Sequence, residues 1–201
     1  MTIITIDGNI GCGKSTILNY LHKNNKIAID LEPVENWEIY LKKLYDTNKF
    51  NSYDFQIKVW SDRCWIQEKS DNILLMMERS PYFIKNVFVE HAKINNTITI
   101  EEYNTIQSLY KKTDELWEPN GYIYLRSDPV SCYERCSKRG RESEKNITLE
   151  YIKEIHDLHE EKYLKAVESN LNIIVINIDN KSITDIVDEI LSSNIYKYST
   201  F

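Results

Sequence analysis

Five short apolar runs recur along the chain: IITID at 3–7, KIAIDLE at 26–32, NILLMME at 72–78, GYIYLRS at 121–127 and NIIVINI at 172–178. They are nearly continuous rather than alternating, as strands buried on both faces are. Longer amphipathic, charged segments lie between them and predict helices over 14–24, 36–48, 53–70, 81–93, 100–118, 129–139, 148–169 and 182–195. Pro81 and Pro129 fall at first-turn positions, and Thr148 stands where it can cap the helix that follows. The alternation predicts an α/β fold, a five-stranded parallel sheet with helices on both faces. In such sheets ligands bind beyond the carboxyl ends of the strands.

Length and composition narrow the classes. At 201 residues the chain suits one domain over 1–201. No stretch is apolar for as long as a membrane span requires. The start MTIITIDG carries no signal-type segment, which predicts a soluble cytoplasmic protein. A net charge of −6 argues against nucleic acid and anionic membrane as partners. The four cysteines form no paired CxxC units, so reduced thiols are expected rather than a zinc site.

The residues after the first strand carry the most specific signal. Gly8-Asn9-Ile10-Gly11-Cys12-Gly13-Lys14-Ser15 matches the G-x-x-x-x-G-K-[ST] phosphate loop, with a buried strand before it and an amphipathic helix after it. Three of the chain's five glycines fall in these eight positions, where backbone N–H groups must turn towards phosphate oxygens. The motif implies a nucleoside triphosphate and Mg²⁺. Lys14 reaches the β- and γ-phosphates, and the Ser15 hydroxyl ligates the metal. The acceptor stays open at this point.

Other strand ends add candidates. Glu32 closes the second run, where a carboxylate can take a proton from an acceptor hydroxyl, or merely charge the start of the next helix. Glu78-Arg79-Ser80 closes the third. There an acid can sit in a Mg²⁺ water shell, and a planar guanidinium can bridge acceptor and phosphate. After the fourth run, Arg135, Lys138, Arg139 and Arg141 cluster around Gly140. Such a segment, about 136–146, can close over a transferring phosphoryl group as a lid. Gln56, among aromatics, can hydrogen-bond a base edge.

In this order the pieces resemble the deoxynucleoside kinase family, from about residue 3 to about residue 180. The landmarks are IDGNIGCGKST, EPVENW, DFQ with Arg63 seven residues on, ERSPY, YLRSDPVSCYERCSKRGRESE and ITLEYIKEIHDLHEEKYL. The resemblance implies a P-loop kinase fold and ATP-dependent phosphorylation of a deoxyribonucleoside 5′-hydroxyl. It extends the phosphate-binding stretch to Thr16, makes Glu32 the general base, and sets Arg79 on the 5′ oxygen and Glu78 near Mg²⁺. Arg135 and Arg139 become lid arginines on the ATP phosphates. Tyr45 and Glu144 match the residues on the sugar 3′-hydroxyl. Gln56 reads the base, with Trp37, Phe55 and Phe88 around it, and Asp179 lies in a loop similar to the one touching adenine. A homodimer is implied as well.

One departure bears on the base. Members preferring deoxycytidine and purines pair the arginine at Arg63 with an aspartate four residues after the serine of ERS. Here that position is Ile84. Val59 is likewise similar to the thymidine-accepting members, so the expected substrate is a pyrimidine deoxynucleoside, thymidine or deoxycytidine. An unpaired arginine in a closed pocket is costly, which predicts another partner for Arg63. The rival enzyme class is a thymidylate-type nucleoside monophosphate kinase, and a nucleotide-dependent switch is the non-enzyme alternative.

Overall fold

A computed structural model describes residues 1–46, 52–64 and 73–197. Strands β1 (Thr2–Gly8), β2 (Ala28–Asp30), β3 (Leu74–Glu78), β4 (Gly121–Arg126) and β5 (Ile173–Asn177) form one sheet of order β2-β3-β1-β4-β5, every pair parallel. Because β1 is central and the chain leaves it first to one side and later to the other, a crevice opens at its carboxyl end. That end is the glycine-rich loop.

Alternate strand residues feed two apolar layers. Ile4, Ile6, Met76, Ile123, Leu125 and Ile176 pack with α1 (Lys14–Asn25) and α9 (Ile183–Ser192). On the opposite face, Tyr122 and Tyr124 meet α4 (Pro81–Phe83) and α8 (Leu149–Glu168) through Tyr82, Phe83 and His159. A separate cluster joins α2 (Glu38–Asp46), α3 (Tyr53–Arg63) and α6 (Ile100–Leu116), centred on Trp37, Phe55, Val59, Ile106 and Tyr110. The four cysteines are buried free thiols, and no described helix is long and apolar enough to cross a membrane.

Local signals place most helix ends. Ser80 caps α4 by accepting from the Phe83 N–H with Pro81 in the first turn, and Asp128 does the same for α7 (Pro129–Arg139) with Pro129. Thr148 caps α8 through the Tyr151 N–H, and Gly140 ends α7 in the left-handed region at φ 66°.

The segment expected as one helix over 81–93 instead changes pitch. After α4 it is π-helical from Ile84 to Val89, and only then α-helical again as α5 (Glu90–Ile94). The expected 36–48 helix begins with a 3₁₀ turn, Val34–Trp37, and the one over 182–195 breaks at Ser193 before α10 (Asn194–Lys197). The remaining parts of the 36–48 and 53–70 expectations, 47–48 and 65–70, lie outside the described residues, as does position 72 of the third run.

Candidate active site

The loop after β1 needs its glycines for two different reasons. A Cβ on Gly11 would stand 2.3 Å from the Cys132 carbonyl oxygen of α7, at φ 78°. Gly13 has open space around it, but its φ of 93° strains any side chain on conformation alone. Asn9 pins the loop from below, donating to the Ile152 carbonyl at 2.9 Å and accepting from the Ile10 N–H at 2.8 Å. Lys14 is buried at the start of α1, its ammonium folded back on the carbonyls of Asn9 and Gly8 at 2.9 and 3.3 Å. Gly8, Asn9 and Cys12 therefore build the loop. Ile10, Gly11, Gly13, Lys14, Ser15 and Thr16 face a cavity of about 210 Å³.

Two acid pairs meet in that cavity. The Ser15 hydroxyl lies 2.9 and 3.0 Å from the two Glu78 carboxylate oxygens. The Glu32 N–H reaches Glu78 Oε2 at 3.3 Å, while the Glu32 carboxylate accepts from Arg79 Nε at 2.8 Å. Arg79 holds a left-handed φ of 64°, a cost of about 1–3 kcal/mol for a non-glycine residue. Its N–H bonds the Ile6 carbonyl and its guanidinium the Gly8 carbonyl, at 3.0 and 2.9 Å. The next residue is gripped by buried Asp7, which accepts from both the N–H and the hydroxyl of Ser80. Burial pushes the Asp7 carboxyl up to about 6 against these hydrogen bonds. Burial also opposes the Arg79 charge, but Glu32 and Glu78 outweigh it and raise its pKa. The Phe88 ring lies 4.5 Å from this guanidinium.

The far wall is aromatic and apolar. Trp37 and Phe55 meet edge to face at 5.9 Å, and Trp37 is fixed by its indole N–H bond to Asp62 at 2.8 Å. Val59, Ile84 and Phe88 line the same wall, the last two supplied by the π-helical stretch. Gln56 is the polar residue here, and its buried Oε1 has no hydrogen-bond partner in the protein. An acceptor left open in a cavity wall can take a donor from whatever enters the cavity.

Tyr45 and Tyr151, edge to face at 5.5 Å, form another side. Burial drives the Tyr45 hydroxyl well above its usual range, so it remains a donor. Opposite, Glu144 is clamped by Arg139 at 2.5 Å and Arg141 at 3.3 Å, in a 3₁₀ turn, Glu142–Glu144, packed on α2.

The expected residues thus largely converge on the cavity; besides Gly8, Asn9 and Cys12, which build the loop, three do not line it. Arg63 does not line the cavity. Its guanidinium turns to Asp30 and to backbone carbonyls at the strand ends, because Ile84 offers it no acceptor. Arg135 and Asp179 also lie outside the cavity wall. Arg135 donates to the Ser127 hydroxyl at 2.9 Å, and Asp179 accepts from Ser127 Oγ and the Asp128 N–H.

Two contributors were missed, Asp7 and Tyr151. Arg141, already in the basic cluster, lines the cavity, and its clamp on Glu144 is a feature of the turn. Asp7 was signalled by a lone acid inside a buried apolar run. Tyr151 had no signal, since only the fold brings this residue of α8 to Tyr45 of α2.

The chain is similar to known proteins over nearly its whole length. The deoxynucleoside kinase family model matches residues 4–195. A putative kinase of Invertebrate iridescent virus 6 is 31% identical over 176 residues, 87% of this chain and 88% of its own length. A probable deoxycytidine kinase of fowlpox virus is 30% identical over 97% of this chain and 87% of its own. Among solved structures, deoxyadenosine kinase from M. mycoides, with dCMP and dCDP bound, superposes with a TM-score of 0.82 at 25% identity, covering 94% of this chain and 96% of the other. The phosphate loop, the Glu32–Arg79 pair and a whole-length match of sequence and fold lead to one assignment: this chain belongs to the deoxynucleoside kinase family and is an ATP-dependent phosphotransferase.

Proposed function

We propose that the chain transfers the γ-phosphoryl group of ATP to the 5′-hydroxyl of a pyrimidine deoxyribonucleoside, thymidine or deoxycytidine, giving the 5′-monophosphate and ADP. The observation that carries this reading is the position of the Glu32–Arg79 pair, in one cavity with Lys14 and Ser15 on one side and Gln56 on the other. The Glu32 carboxylate takes the 5′-hydroxyl proton as the oxygen–phosphorus bond forms and the bond to the β-phosphate oxygen breaks. Arg79 holds the attacking oxygen and the phosphoryl oxygens together. Lys14, Arg139 and Arg141 neutralise charge on the triphosphate. The hard oxygens of Ser15 and Glu78 suit Mg²⁺, which when bound supplies further neutralisation at the β- and γ-phosphates.

Base preference follows from the wall opposite. Gln56 carries both an acceptor and a donor, enough to bond one edge of thymine or cytosine, and Trp37, Phe55 and Phe88 cover the ring. Val59 and Ile84 leave room without adding charge. The homodimer implied by the family resemblance belongs to the same proposal and predicts sedimentation at twice the chain mass. A kcat/KM panel over the four natural deoxynucleosides, thymidylate and deoxycytidylate tests the substrate. The highest values are expected for thymidine and deoxycytidine. Activity confined to the monophosphates would replace this reading with a monophosphate kinase.

A further inference from the structure

The ends of β2 and β3 are joined by a residue that never reaches the cavity. Arg63, the last residue of α3, is 2% exposed. Its NH1 donates to the Asp30 carboxylate at 2.9 Å and the Leu31 carbonyl at 3.1 Å. Its NH2 donates to the Glu78 carbonyl at 2.7 Å and the Asp30 carbonyl at 3.4 Å. The β2–β3 register runs only to Asp30 and Met77, so this guanidinium bridges the strands where the ladder stops. Glu32 follows Leu31 directly, and Arg79 follows Glu78. A shift of either strand end therefore moves the Glu32 carboxylate against Arg79, and Glu78 against Ser15.

We infer that Arg63 is a positioning residue for phosphoryl transfer, fixing the strand ends that carry Glu32, Glu78 and Arg79, rather than a reader of the nucleobase. The inference rests on the roles proposed above for Glu32 and Glu78. The wall nearest the base is built by Gln56, Val59 and Ile84, none of which bonds Arg63 through its side chain. A misplacement of about 1 Å in a reacting group costs about a hundredfold in rate, so a buried tie of this kind acts on turnover. Base selectivity should not feel it.

The test uses Arg63→Met and Asp30→Asn in the full chain, with kcat and KM measured for thymidine and for deoxycytidine. Arg63→Met is expected to lower kcat by about tenfold or more for both nucleosides. KM should stay within about threefold, and the thymidine-to-deoxycytidine ratio of kcat/KM within about twofold. Asp30→Asn should show the same split with a smaller fall. A purely supportive role would lower the melting temperature without separating kcat from KM. Should Arg63→Met fail to fold, Asp30→Asn decides alone. Unchanged kcat in the folded variants overturns the inference, as does a selectivity ratio moved by about tenfold. Glu32→Gln, run alongside, separates the two levels. If it turns over like wild type, the catalytic reading fails. If it is slow while the Arg63 and Asp30 variants are normal, only the positioning role fails.

Discussion

At the scale of single residues, the site is a set of buried charges and dipoles whose partners are nearly all named. Arg79 pays for its left-handed backbone through bonds to Ile6, Gly8 and Glu32, and Asp7 holds the serine beside it. Gln56 differs, with an open acceptor facing the aromatic wall. Replacing it by leucine should raise nucleoside KM at least tenfold, about 1.4 kcal/mol, because a base edge would lose its partner. Steady-state kinetics at saturating ATP would show it, and an unchanged KM would remove Gln56 from base reading. Residues bound to a local motif were legible in the sequence: Lys14, Ser15, Glu32 and the Glu78-Arg79 pair. Arg63 was legible as a residue in need of a partner, yet Asp30 was hidden, because only the sheet brings the tips of β2 and β3 to the end of α3.

At the scale of elements, the phosphate loop is wedged against α7, and its glycines differ in what they forbid. Gly13→Ala meets only an unfavourable φ and should cost about 1–2 kcal/mol. Gly11→Ala must also displace the backbone of Cys132 and should cost more, with loss of ATP binding. Thermal melts and nucleotide titrations of the two variants check this order; equal destabilisation would contradict the wedge. Strand runs, caps and most helix spans were readable because apolar period and end chemistry act locally. The π-helical stretch was not. It sets Ile84 and Phe88 in the cavity wall while Phe83 and Val87 pack with Ile155 and Leu158, a division imposed by tertiary packing.

At the scale of the whole molecule, one sheet carries the phosphate loop at its centre and the acid–arginine pair at the neighbouring strand tip. The parallel α/β class was evident from the alternation of runs. The order β2-β3-β1-β4-β5 rests on long-range pairing that no local pattern encodes. The core also sets how stability follows pH. His159 is fully buried against both Phe83 and Tyr124, and burial lowers its pKa well below the usual value. A depressed histidine contributes stability that is present above its unfolded pKa of about 6.5 and is lost as pH falls. His159→Phe should therefore flatten the acid limb of the stability curve, by up to about 1.4 kcal/mol per pH unit. Urea unfolding at several pH values would reveal it, and parallel curves would exclude the effect. The central claim is transfer from ATP to a nucleoside hydroxyl with Glu32 as base. Its most direct test is the single-turnover rate of thymidine 5′-monophosphate formation in wild type and Glu32→Gln, with ATP affinity measured on both. Wild type should form the monophosphate, and Glu32→Gln should be about 10²–10⁴-fold slower with ATP affinity unchanged. Glu32→Gln turning over at the wild-type rate would contradict it.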